Sequence, residues 1–287
     1  MDLAARTCPE YEYLDAGDGC RLERFGPYVF NRPSPVALWR RERPELWTHN
    51  PAGVYHRSSS GGGHWTFNRA LPPAWPLRWD DFVFQIKPTG FGHMGLFPEH
   101  TCHWDWVTRQ VKASRTRCPV LHLFAYTGAM TLLAARAGAE VCHVDAVKDV
   151  NDWARQNAES SGLRASPIRW ITDDVAKFVA REQRRGHQYD GIILDPPSYG
   201  KGPKGEKWIL EEHLVGLFEL LLPLMSATPR FLLFTCHTLG FSPALMKNML
   251  VPWCDRFGGA VEAGTMVLTS PPRKLVLPTG FFARWSA

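Results

Sequence analysis

No apolar run in this chain approaches the roughly 18 residues that a membrane-spanning helix needs, so a helical membrane protein is excluded. The opening stretch, MDLAARTCPEYEYLDAGDGC, lacks the apolar core of a signal peptide and carries several acids. A cytoplasmic protein is the expectation. Cysteine occurs at 8, 20, 102, 118, 142, 236 and 254, never as a CxxC pair. Neither a zinc ribbon nor a disulfide framework is indicated, and the odd count fits a reducing compartment. His93, His100 and His103 with Cys102 match no compact metal spacing, so no metal is expected. No internal repeat is visible.

A surplus of one charge is missing from residues 1–110, where 12 Lys+Arg meet 12 Asp+Glu. The net charge of +5 therefore arises in residues 111–287. A mild basic excess there suits a polyanionic partner such as RNA. Residues 1–108 hold 7 of the 12 tryptophans, many prolines and short strand-like segments such as RFGPYVFNR (Arg24–Arg32) and FVFQIK (Phe82–Lys87). SSSGGG (Ser58–Gly63) reads as a loop tip. These residues predict a small β-rich, substrate-side domain whose aromatics serve core packing or base stacking. A connecting helix is predicted to start near 101, with Trp104, Val107 and Val111 at helical spacing.

From 109 to 287 strands and helices alternate. VLHLFA, EVCHVD, IRWIT, DGIILD and RFLLFTC read as strands. Ala129–Ala137, Asp149–Ser160, Val175–Arg184 and Glu211–Met225 read as helices. TMVLTS and FFARW predict a final antiparallel pair. This order argues for an α/β, Rossmann-like doubly wound sheet. In such sheets a ligand sits beyond the carboxyl ends of the strands, at the switch point of strand order. Phe124-Ala-Tyr126-Thr-Gly128 falls there after the first strand, with Gly128 allowing close backbone approach. The loop does not read GxGxxG, so a phosphate-bearing dinucleotide is not its expected ligand. Asp145 ends the second strand, where a carboxylate can accept from both ribose hydroxyls. Asp174 follows the third strand and is placed to bond an adenine amine; either acid also suits a helix N-cap.

LFAYTGAMTLLAARAGAEVCHVDAVKDVNDWARQNAESSGL, ITDDVAKF and DGIILDPPSYGKGPKGEKW together resemble class I S-adenosylmethionine-dependent methyltransferases. More narrowly they resemble the bacterial 23S ribosomal RNA methyltransferase group with a DPP-x-aromatic motif. The match runs from about Leu96 to the C-terminus. The resemblance implies S-adenosyl-L-methionine as cofactor, held by Phe124, Tyr126, Gly128, Asp145, Asp174, Asp195 and Pro196. It implies RNA, in particular ribosomal RNA, as partner. Asp195-Pro196-Pro197 ends the fourth strand, and two prolines there fix φ and remove two donors. Ser198 stands before the aromatic Tyr199, which argues against amine methylation of adenine.

Cys236 ends the fifth strand beside Asp195. RNA methyltransferases acting at cytosine carbon 5 resemble this arrangement, because that carbon needs covalent help from a thiolate. Asp195, Cys236 and Tyr199 are thus the expected catalytic residues. The cysteine is followed by His237, where the family commonly has serine; two readings are open, a neighbour that lowers the thiol pKa or the mark of another activity. A small buried cysteine is the plain alternative. Lys201, Lys204 and Lys207 in GKGPKGEK are the expected substrate-binding residues of a glycine-rich lid gripping phosphate. Three rivals stay open: methylation of a guanine ring nitrogen in RNA, methylation of a protein or small molecule, and a cofactor-binding RNA chaperone.

Overall fold

Strands buried on both faces must be apolar along their whole length, and the chain supplies such runs at regular intervals. The computed structural model describes residues 1–48, 50–58, 62–114, 117–270 and 275–287. They divide into two compact units. The larger comprises Met1–Leu3, Cys102–Met266 and Thr279–Ala287, the smaller Ala4–Thr101 and Val267–Pro278. Among the described residues no helix is long and apolar enough to cross a membrane.

The larger unit is built on an eight-stranded sheet. Its strands are β1 (Asp2–Ala4), β2 (Pro119–Leu123), β3 (Glu140–Asp145), β4 (Ile168–Thr172), β5 (Gly191–Leu194), β6 (Phe231–Cys236), β7 (Ala260–Leu268) and β8 (Leu277–Ser286). The order across the sheet is β1-β7-β8-β6-β5-β2-β3-β4. From β6 to β4 all pairings are parallel, and β8 runs antiparallel to β6. The chain winds outward from β2 through β3 to β4, then returns to place β5 on the other side of β2. The switch point lies between β2 and β5. The register brings Leu123 level with Val144 and Leu194, and Leu194 level with Phe234. The ends of β2, β3, β5 and β6 therefore share one edge.

The helices are α1 (Trp104–Lys112), α2 (Ala129–Arg136), α3 (Lys148–Ser160), α4 (Val175–Arg184), α5 (Leu210–Leu221), α6 (Pro243–Met249) and α7 (Val251–Phe257). Strand–helix–strand connections of this kind close in one hand only. All four residues of β5 and all six of β6 are buried. Gly191 is required where they meet: a Cβ there would lie 2.3 Å from the Phe231 ring. In α2, six of eight residues are buried, as its alanine-rich sequence allows.

Two helical expectations are corrected. The helix expected from Thr101 begins as a tighter 3-10 turn over Pro98–His103, and α1 starts at Trp104. The helix expected over Glu211–Met225 stops at Leu221, because Pro223 has no N–H to continue the ladder; Leu222–Leu224 form a 3-10 turn.

In the smaller unit a five-stranded sheet runs in chain order through Tyr11–Gly17, Cys20–Phe25, Tyr28–Pro33, Gly53–Arg57 and Gly63–Phe67. A second pair joins Trp75–Trp79 to Phe82–Ile86. The predicted segment RFGPYVFNR is a hairpin of this sheet. The aromatics here are mainly core: Phe25, Phe30, Trp75 and Trp79 are buried, and Phe30 stacks on Trp75 at 5.8 Å. Glu23 is buried with Arg32, whose Nε donates to it at 2.9 Å, and with the Tyr11 hydroxyl, also at 2.9 Å. Of the predicted SSSGGG loop tip, residues 59–61 lie outside the described residues.

Candidate active site

The loop after β2 is shaped by three left-handed residues at alternate positions. Phe124 has φ 53°, Tyr126 φ 50° and Gly128 φ 85°. For Phe and Tyr this conformation costs roughly 1–3 kcal/mol each, so the surroundings must hold it in place. They do. The Ala125 N–H donates to the Val144 carbonyl, and the Tyr126 N–H to Asp145 Oδ2 at 2.9 Å. The Gly128 N–H bonds the Ala125 carbonyl, and buried Asn157 of α3 donates to the Thr127 carbonyl at 2.9 Å. Gly128 then opens α2 as its N-cap, and a Cβ on it would press to 3.2 Å of Ala154 on α3.

Asp145 sits at the end of β3, half-buried. Oδ1 accepts from the Val147 N–H at 3.0 Å and Oδ2 from Tyr126. Burial raises its carboxyl above the usual carboxylate range, and the amides of Val147, Tyr126 and Ala146 oppose that rise. A carboxylate has about four lone-pair positions, so two hydroxyls can still be accepted. Asn151 of α3 ties the ends of β3 and β4 together: its amide reaches the Asp145 carbonyl, the Ile171 carbonyl and Thr172 Oγ1. Beyond β4, Asp174 caps α4, accepting from the Lys177 N–H at 2.9 Å. Asp173 beside it pairs with Arg181 at 2.5 Å. The helix-cap reading of Asp174 is thus realised, with one oxygen committed to the cap.

On the other side of the switch point, Asp195 follows β5. Its Oδ1 accepts from the Thr235 hydroxyl of β6 at 2.8 Å, and its Oδ2 lies 3.6 Å from His237 Nε2. Pro196 is buried and Pro197 is exposed. The Pro197 carbonyl accepts from the Trp208 indole at 2.7 Å, while the Trp208 ring packs 4.9 Å from Phe124. Trp208 thereby joins the loop after β2 to the Asp-Pro-Pro loop.

The segment expected as a glycine-rich loop contains a β-hairpin, Tyr199–Lys201 against Lys207–Ile209. Lys177 of α4 clasps it through Glu206 at 2.6 Å, which holds the Glu206 carboxyl down at about 2. Lys201 lies directly opposite Lys207. Alternation puts Tyr199, Lys201, Lys207 and Ile209 on one face and buried Trp208 on the other. Tyr199, Lys201, Lys204 and Lys207 are exposed. Like charges set opposite each other repel unless an anion comes between them.

Cys236 ends β6 fully buried. Burial is the main cause that pushes its thiol up to about 11, and hydrogen bonds from Thr238 only partly offset it. The reading in which His237 lowers this thiol is corrected. The imidazole is engaged elsewhere, with Nδ1 2.8 Å from the Thr279 carbonyl of β8 and Nε2 toward Asp195.

The structure thus brings Phe124, Tyr126, Gly128, Asp145, Asp174, Asp195, Pro196 and Cys236 to one edge of the sheet. Tyr199 and the three lysines stand on the hairpin that follows Asp195. Sequence reasoning missed Asn151, Trp208, Thr235 and Thr279. Only Trp208 left a signal, as a lone aromatic inside a glycine- and lysine-rich run.

Comparison with known proteins agrees with this geometry. The family model described as "Conserved hypothetical protein 95" matches residues 103–211. A solved S-adenosylmethionine-dependent methyltransferase from Agrobacterium tumefaciens is 36% identical, with a TM-score of 0.93 over 100% of this chain and 93% of its own. Ribosomal RNA large subunit methyltransferase I of Aeromonas salmonicida is 41% identical over 112 residues, 38% of this chain and 27% of its own. The protein of the same name from Salmonella arizonae is 40% identical over 199 residues, 64% and 48% respectively. The chain spans less than half the length of these curated relatives.

Proposed function

Because the chain belongs to the class I S-adenosylmethionine-dependent methyltransferases, we propose that it transfers the methyl group of S-adenosylmethionine to a base of ribosomal RNA. One observation carries the reading. Asp145 with its positive-φ partner loop and Asp195-Pro-Pro flank the switch point between β2 and β5, where such sheets bind ligands.

The residues fit a nucleoside without phosphate. Asp145 offers acceptors to ribose hydroxyls, Phe124 and Tyr126 line the loop, and Asp174 stands at the adenine side. When bound, S-adenosylmethionine supplies a methyl group on a positively charged sulfur. The chain's own part is to hold an acceptor base flat over the Asp195-Pro196-Pro197 loop. Ribosomal RNA as the acceptor is supported by the names of the curated relatives and by the hairpin. One hairpin face carries Tyr199 to stack on a base and Lys201 and Lys207 to meet phosphate.

Within that reading, carbon 5 of cytosine is the proposed position, with Cys236 adding to carbon 6 of the ring. It is supported by two adjacent strand ends: β5 leads into Asp195 and β6 ends in Cys236. For this chemistry the thiol must lose its proton when the base enters. A second reading, a guanine ring nitrogen, is favoured by the buried, protonated state of the thiol, since nitrogen needs no covalent help. Replacing Cys236 by alanine separates them. The carbon-5 reading predicts loss of methyl transfer with cofactor binding retained, and full activity in the variant overturns the covalent mechanism; nucleoside analysis of the methylated RNA then identifies a nitrogen acceptor.

A further inference from the structure

His237 stands where the resembling family commonly has serine, and its two ring nitrogens are differently engaged. Nδ1 lies 2.8 Å from the Thr279 carbonyl. A carbonyl has no proton to give, so Nδ1 is the protonated nitrogen. In the neutral ring, Nε2 is therefore the bare, basic one, and it faces Asp195 Oδ2 at 3.6 Å. The other oxygen of Asp195 is held by Thr235 at 2.8 Å. The backbone is fitted to the ring: a Cβ at Gly280 would come within 2.9 Å of His237 Nδ1 and of the Cys236 carbonyl. The result is a line from carbonyl to imidazole to carboxylate, in which the carbonyl fixes the tautomer and the carboxylate stands at the acceptor edge. The same logic orients a histidine by a carboxylate in hydrolytic triads, with the order reversed.

We propose that His237 is the proton-relay partner of Asp195, taking up the proton that the acceptor base gives off. The inference rests on the reading above, in which Asp195 faces the acceptor. Any base position that carries hydrogen must release one proton for each methyl it gains. The electron pair of the broken C–H or N–H bond stays with the base, and the proton passes to an Asp195 oxygen. From there it moves to His237 Nε2, which restores the carboxylate and leaves an imidazolium between Asp195 and the Thr279 carbonyl. Release to water resets the ring. His237 acts through Asp195 and is a positioning residue for any acceptor position that gives up a hydrogen. The gap of 3.6 Å is longer than a hydrogen bond, and such catalytic contacts often tighten only when substrate is bound.

Among the described residues of the larger unit, the titratable groups at this point include Asp195 after β5, facing the ring, and Cys236 on β6 itself. Glu211 of α5 acts on the Cys236 thiol, and β8 contributes the neutral Thr279 carbonyl and Gly280.

Two measurements test the proposal. The first needs no substrate: the 15N spectrum of the neutral His237 ring in the full chain. Protonated Nδ1 with bare Nε2 is expected, and the opposite tautomer overturns the relay. The second compares wild type with His237→Asn, whose side-chain amide can still donate to Thr279 but has no basic nitrogen. Methyl transfer to RNA is expected to fall about 100-fold in kcat, at the lower end for general acid–base groups. The pH profile of kcat should differ from that of wild type, with the cofactor Kd unchanged. A variant that keeps wild-type kcat and the wild-type pH profile overturns the relay. Wild type that methylates no RNA counts instead against the RNA reading, and the ring tautomer then still decides the relay's geometry.

Discussion

At the scale of single residues, the site rests on polar groups whose protonation is set by what surrounds them. His143 of β3 shows this most directly. Thr131 Oγ1 lies 2.8 Å from its Nδ1 and 2.7 Å from Nδ1 of His122. A hydroxyl has one proton to donate, so at most one of the two rings accepts from it. Burial holds the His143 pKa down at about 3. The folded pKa is depressed, so folding is favoured by the neutral ring. That contribution is complete above the unfolded value of about 6.5 and is lost as pH falls toward 3. At pH 5 the loss is about 2 kcal/mol, at 1.36 kcal/mol per pH unit. Urea unfolding at pH 7.5 and pH 5 should show this drop in wild type and a smaller one in His143→Asn. An equal drop in both would assign the acid sensitivity to other groups.

At the scale of elements, one side chain can serve both a helix and a ligand, and substitutions can separate the two roles. Asp174 caps α4 and stands where the adenine amine is expected. Serine also caps well but reaches less far. Asp174→Ser should keep stability within a few tenths of a kcal/mol, whereas Asp174→Ala should lose about 1 kcal/mol. If Asp174 meets the adenine, both variants weaken cofactor binding in calorimetry; if it only caps, neither does. The hairpin after Asp195 makes a separate prediction. Lys201→Ala and Lys207→Ala should each weaken RNA binding and reduce the slope of log K against log salt by about one. An unchanged slope would leave these lysines as surface charge.

At the scale of the whole molecule, the winding of the larger unit was legible because each strand is a short apolar run that ends in a polar residue with a task. EVCHVD and IRWIT coincide with β3 and β4, and Val175–Arg184 with α4. Asp145 and Asp195 stood out in the sequence as acids closing apolar runs, at the edge where such sheets bind ligands. What stayed hidden depends on partners distant in sequence. GKGPKGEK shows no alternation, and its hairpin is held by Glu206 on Lys177 and by Trp208 against Phe124 and Pro197. The partners of His237 could not be read either, because Thr279 arrives from the antiparallel strand β8. Burial of Cys236 likewise follows from packing, which the residue type alone leaves open.

The most direct test of the account is transfer of labelled methyl from S-adenosylmethionine to total RNA of a strain lacking this gene, followed by nucleoside chromatography. The account predicts label in ribosomal RNA, recovered as 5-methylcytidine. Label in another nucleoside would keep the RNA reading and return Cys236 to packing. No label in any RNA, with cofactor binding demonstrated, would contradict the central claim.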